Sequence, residues 1–163
     1  MPIAEGLLIE FDQEMATTRR LLERVPSEMG EWKPHPKSFA LGHLAQLVAR
    51  MPSWVANALT QTELNLSGGA GYSFETTETL LALFDKNVDD ARTAFKTIRD
   101  EDFAVMWSLR AGDRVLMTAL RGAVVRQHLS HLFHHRGQLT VYLRLVDVPL
   151  PSIYGPTADE RSF

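Results

Sequence analysis

The chain has 163 residues, no cysteine and a formal net charge of -3 from 17 basic and 20 acidic side chains, which makes it long enough for one domain with a sizeable core. The lack of cysteine excludes disulfides, thiolate nucleophiles and zinc fingers, so a soft-metal site would have to be built from imidazole, carboxylate or water. No basic block offers a nucleic-acid footprint, and no uncharged apolar run approaches the ~20 residues of a bilayer span.

Residues 1–6 have neither a basic n-region nor a continuous apolar core, so no signal peptide is expected and a cytoplasmic protein is. Residues 3–24 carry Ile3, Leu7, Phe11, Met15, Leu21 and Leu22 mostly three and four apart, an amphipathic helix ended by Pro26. Residues 27–37 hold Pro34, His35 and Pro36 with Trp32, a long loop pinned by an aromatic side chain. Ser38 is the expected N-cap of a second helix from Phe39 to about Thr60. On it His43, Leu47, Met51, Trp54 and Ala58 share one face, and Pro52 should kink or break the pattern.

Residues 63–74, with Gly68, Gly69 and Gly71, have no periodicity and read as a flexible connection. Thr76 or Thr77 caps a third helix running to Ile98. Residues 103–109 and 114–117 flank a turn at Gly112-Asp113, which fits a short β-hairpin better than a helix. A last helix is expected from about Thr118 to Leu145, followed by an extended tail through Pro149, Pro151 and Pro156. The architecture is therefore all-α: a single-domain four-helix bundle over residues 1–163, with a short β-hairpin or irregular insertion before the last helix.

That last helix holds four of the six histidines within eight residues. At about 100° per residue, His131 and His135 lie within roughly 40° of each other and one turn apart, the spacing of two cis ligands of one metal. His128, Val124, Leu132, Gln138, Leu139 and Tyr142 share their stripe, which is read as the inward face; His134 sits at its polar edge. A single histidine on an apolar face is usually a hydrogen-bonded core residue. Several buried imidazoles beside leucines cost free energy unless each nitrogen is satisfied, and a metal satisfies one nitrogen per ring. One helix offers only two well-placed ligands, so a third comes from elsewhere. His43 lies on an inward stripe with Leu47 and Trp54, whereas His35 lies between prolines in a solvated loop; His43 is the choice.

With these residues in place, the chain resembles the DinB/YfiT-like superfamily of four-helix-bundle metalloproteins. The resemblance rests on His131-Leu-Phe-His-His135-Arg-Gly-Gln-Leu, which fits an H-x-x-x-H-R-G-Q pattern, on Gly42-His43-Leu44, and on Val141-Tyr-Leu-Arg-Leu followed by Val148-Pro-Leu-Pro. It implies a divalent metal, nickel or zinc, held by His43, His131 and His135 with an open position. It gives no ligand role to His128 or His134, which become supporting or structural residues, while Gln138 and Tyr142 either line the pocket or continue the packing face.

Such a site can acidify a bound water or stabilise a thiolate. Characterised members of the superfamily favour activation of an external low-molecular-weight thiol for S-transfer to a small-molecule electrophile. The alternatives are metal-dependent hydrolysis and a metal-binding or interaction module without catalysis. No general base stands out: Asp147, Asp159 and Glu160 read as solvated carboxylates, and Tyr154 in the tail is placed to fold over the pocket mouth. Phe133, on the far side of the last helix with Gly137 and Thr140, reads as an exposed stripe for a helix-on-helix contact between copies; a homodimer is also what the resemblance implies. Neither nucleic acid nor membrane is an expected partner.

Overall fold

The computed structural model describes residues 1–68 and 71–161; residues 69 and 70 of the expected glycine-rich connection, and residues 162 and 163, lie outside the described residues. Four helices form the body: α1 (Ile3–Leu22), α2 (Leu41–Thr60), α3 (Thr77–Thr97) and α4 (Arg121–Leu145). Three strands, β1 (Glu63–Asn65), β2 (Met106–Ala111) and β3 (Arg114–Leu120), make a small sheet. Helix α2 packs against both α3 and α4, and α1 packs chiefly on α3. Phe11, Met15, Leu44, Val48, Met51, Phe84, Leu129, Leu132 and Leu139 lie in the shared core. No helix is long and apolar enough to cross a membrane among the described residues.

Each helix boundary has a local cause. The amide of Ile3 opens α1 by donating to Asp100 Oδ1 at 2.8 Å, which puts a carboxylate at the positive end of the helix dipole. Helix α2 starts at Leu41, two residues later than expected, and Ser38 is not its cap. The loop itself caps it: Leu41 N donates to Trp32 O (2.8 Å) and Gly42 N to Gly30 O (2.9 Å). Trp32 holds that loop by an edge-to-face contact with Tyr142 of α4. Pro52 does not break α2, and Ser53 Oγ donates to Arg50 O within the same turn. Thr76, rather than Thr77, caps α3, accepting from Thr79 N. Thr77 instead donates its hydroxyl to Val25 O.

The hairpin is present, with a bulge between Leu109 and Arg110, and β3 extends to Leu120 where helix had been expected from Thr118. Strand β1 departs from the expected flexible connection by pairing parallel to β2, Glu63 opposite Ser108. Three residues are too few to show a period-two pattern, so this strand depends on long-range partners. Asn65 supplies one, its side-chain oxygen accepting from Ser67 N and from Gly112 N, both at 3.0 Å. Gly112 needs no side chain there, because its φ of +59° is a turn conformation that glycine adopts freely.

Two buried arginines fix α4. Arg121 ties its first residue to Asp102 O and Gln61 O. Arg136, with 2% of its side chain exposed, pairs with Glu14 of α1 at 2.6 Å and donates to Thr18 Oγ1 and to Tyr154 Oη. Tyr154 therefore docks towards α1, its hydroxyl donating to Glu14, instead of covering a pocket mouth. Asp159 and Glu160 are not free solvated carboxylates. They accept from Leu150 N and Ser152 N and pair with Arg144 and Arg20, which pins the tail. Asp147 stays exposed at the end of α4, at a φ of 59°. Phe133 is half-buried with the Arg136 guanidinium 5.2 Å from its ring, and Thr140 is half-buried too, so of the expected exposed stripe only Gly137 is exposed.

Two outcomes test this packing. A β-carbon at Gly42 would lie 2.6 Å from the Phe74 ring, so Gly42→Ala should cost about 1–3 kcal/mol in urea unfolding. Glu14→Ala leaves the Arg136 charge buried without its partner and should cost about 3–5 kcal/mol by the same measurement, against about 1.5 kcal/mol for Tyr154→Phe, which loses its hydrogen bonds to Arg136 and Glu14 but leaves that ion pair in place.

Candidate metal centre

Helix α4 delivers two imidazoles to one point. His131 Nε2 and His135 Nε2 lie 2.9 Å apart, and His135 Nδ1 lies 2.7 Å from Gln138 Oε1. The amide oxygen only accepts, so His135 donates from Nδ1 and keeps a lone pair on Nε2, directed at His131. This is the tautomer of a ligating histidine, with the far nitrogen tied to a neighbouring oxygen. Burial lowers the affinity of His131 and of His135 for protons, and nearby imidazoles add to that; the Gln138 bond opposes it at His135. Neutral rings are the ligating form. Gln138 thus has a definite place, orienting His135, although it is itself exposed. His131 also stands at the exposed edge of the stripe expected to face inward, while His135 is buried.

His43 projects from α2, half-buried, with its ring stacked between Phe39 (centroids 4.4 Å apart) and Tyr72 (4.0 Å). Phe39 also lies 6.4 Å from the His135 ring. Burial lowers the proton affinity of His43, with Arg50 and Lys33 contributing. The structure brings His131 and His135 together but does not bring His43 to them. No group of three or more His, Asp or Glu stands at metal-binding spacing among the described residues.

The donor set can still be tested for fit. Two imidazole nitrogens on bonds of about 2.0–2.1 Å to one tetrahedral zinc sit about 3.3 Å apart, so the His131–His135 pair at 2.9 Å needs to open only slightly. As neutral imidazole, His43 has the right chemistry on a helix packed against α4, but its ring is engaged in the aromatic stack.

The other histidines separate cleanly. His134 is exposed, its ring edge-on to His135. His35 is exposed in the loop, its Nδ1 accepting from Lys37 N. His128 is largely buried between Trp54 and Trp107, and burial, followed by the neighbouring His131, holds its pKa down at about 4.

Each member of the pair lines a cavity of its own. One, of about 220 Å³, is lined by His135 with Lys37, Ser38, Phe39, Gln138 and Tyr142. The other, of about 270 Å³, lies under the sheet and is lined by His131 and His128 with Trp54, Trp107, Leu109 and Met117 among others. The first carries hydroxyl, amide and ammonium groups; the second is largely apolar. Sequence reasoning missed the second because its wall is the three-stranded sheet, and β1 left no pattern. It also assigned nothing to Arg136, whose one signal was a charged residue next to His135 on a leucine-bearing face.

No family model matches this sequence, and no curated protein does. Solved structures do match in fold. A DinB-like protein of Bacillus subtilis, YjoA, superposes with a TM-score of 0.70 at 18% identity, over 96% of this chain and 99% of that one. A DinB-like protein of Bacillus cereus superposes with a TM-score of 0.72 at 20% identity, over 92% and 97%. At such identities the likeness establishes the fold, a DinB-like four-helix bundle.

The buried His128 gives a pH prediction. The unfolded chain, with an imidazole near 6.5, takes up the proton before the folded one at about 4. Stability from this burial is complete above pH 6.5 and is lost as pH falls towards 4, by roughly 3 kcal/mol in all. Urea unfolding at pH 7, 5.5 and 4.5 should therefore show a steeper acid loss for the parent protein than for His128→Leu.

Proposed function

We propose that the protein binds one divalent metal ion, nickel or zinc, through His43, His131 and His135, and acts as a metal-dependent enzyme that transfers a low-molecular-weight thiol to an electrophile. The observation that carries the metal reading is the convergence of His131 Nε2 and His135 Nε2 at 2.9 Å, with His135 turned by Gln138 so that its lone pair faces the pair's midpoint. When bound, the ion supplies a Lewis acid with an open position, which favours the thiolate form of a thiol.

The chain's own residues supply the rest. The cavity at His135 offers Lys37, Ser38 and Gln138 to a polar co-substrate. The cavity at His131 offers an apolar wall to the acceptor. Two cavities of unlike polarity, one at each member of the pair, suit a reaction that joins two molecules. Hydrolysis, the competing reading, needs one organic substrate and water. With no cysteine in the chain, the reacting sulfur comes from a co-substrate. A non-catalytic metal module is the other reading, favoured by the present engagement of His43 in an aromatic stack.

Calorimetric titration with nickel and zinc should give one ion per chain. His131→Ala, His135→Ala and His43→Ala should each abolish stoichiometric uptake while circular dichroism still reports the folded bundle; Gln138→Ala should weaken it about 10–100-fold. Metal-loaded protein should then consume thiol in the presence of an electrophile such as a chlorinated nitrobenzene. Unchanged uptake in His43→Ala would remove His43 from the ligand set. Hydrolysis of a test ester without thiol consumption would favour the hydrolase, and inertness of the loaded protein towards both would favour the module.

A further inference from the structure

We propose that the cavity beneath the sheet is the binding site for the acceptor molecule, and that it takes an uncharged aromatic or branched-aliphatic group. This rests on the two-substrate reading above and names the chemistry of one of the substrates. The cavity is closed by elements far apart in sequence: Trp54 from α2, Leu64 from β1, Trp107 and Leu109 from β2, Met117 from β3, and His128 with His131 from α4. The sheet is therefore the wall that turns an open end of the bundle into a pocket touching His131.

Size and lining restrict what can enter. A cavity of about 150 Å³ suffices for benzene; about 270 Å³ admits a ring with a short substituent. No lining residue is Lys, Arg, Asp or Glu, so a charged ligand would lose its hydration without gaining an ionic partner. Trp107 and His128 line the cavity with their rings edge-on to each other. Their Nε1 and Nε2 atoms are enclosed by neighbouring atoms and offer no surface to a ligand. An uncharged apolar molecule of that size meets both conditions.

Binding can be measured on the metal-free protein, so the outcome does not depend on metal uptake. The three tryptophans give three indole N–H resonances in ¹⁵N-labelled protein, and Trp107→Phe identifies the one belonging to Trp107. Acetophenone should shift that resonance saturably and leave the Trp32 indole unmoved. Ethylbenzene should bind about as tightly, and benzoate roughly tenfold more weakly, because its charge finds no partner in the cavity. Met117→Trp, which fills the cavity from a strand, should abolish the saturable shift while zinc uptake at the histidine pair is retained; Leu109→Phe serves if that variant does not fold. The proposal is overturned if acetophenone gives no saturable shift at Trp107, if benzoate binds more tightly than acetophenone, or if the filled variants bind unchanged. Failure of zinc uptake with normal acetophenone binding would instead overturn the metal reading alone.

Discussion

Helix α4 must bury an arginine and an imidazole side by side on a face that otherwise carries Val124, Val125, Leu129, Leu132, Leu139 and Leu143. Uncompensated, either group would outweigh the burial of a leucine or two. Arg136 is compensated by Glu14, Thr18 and Tyr154, all on its α1 side. Adjacent residues on a helix point about 100° apart, so anchoring Arg136 to α1 fixes the rotation of α4 and turns His135 away, towards Phe39 and the chain leading into α2. His131, one turn earlier, follows. The site's orientation thus depends on a buried ion pair that takes no part in it. Isolated buried pairs add little net stability; here the pair's contribution is the rotational setting of the helix.

The same need for compensation explains how α4 begins and how the chain ends. Arg121 satisfies carbonyls at Gln61 and Asp102, joining the end of α2, the turn before the sheet and the first turn of α4. The tail is held by Asp159 and Glu160, which accept from backbone amides and pair with arginines of α4 and α1. Polar residues that break the apolar pattern of α4 are the ones that specify where it lies.

Much of this was legible in the sequence. The three- and four-residue spacing of Phe11, Met15, Leu47, Met51, Phe84 and Val88 set out the first three helices, Val124, Leu132 and Leu139 the fourth, and the turn at Gly112-Asp113 marked the hairpin. Helical angle alone paired His131 with His135. What escaped depends on distant groups. Ser38 has the right chemistry for a cap, but Trp32 and Gly30 carbonyls reach α2 first. Strand β1 is three residues long and exists through β2. Phe133 seemed outward because helical angle cannot foresee the Arg136 guanidinium beside its ring. Tyr154 and Glu14 are 140 residues apart, and no local pattern joins them.

The proposed metal site is the His131–His135 pair completed by His43. Crystals grown with zinc, with anomalous diffraction collected on both sides of the zinc absorption edge, test it. The expected result is one strong peak at the pair, about 2.0–2.1 Å from each of the two Nε2 atoms and from a nitrogen of a His43 ring released from its stack. A peak elsewhere, no peak at the pair, or a fully coordinated ion at the pair with His43 still between Phe39 and Tyr72 would contradict it.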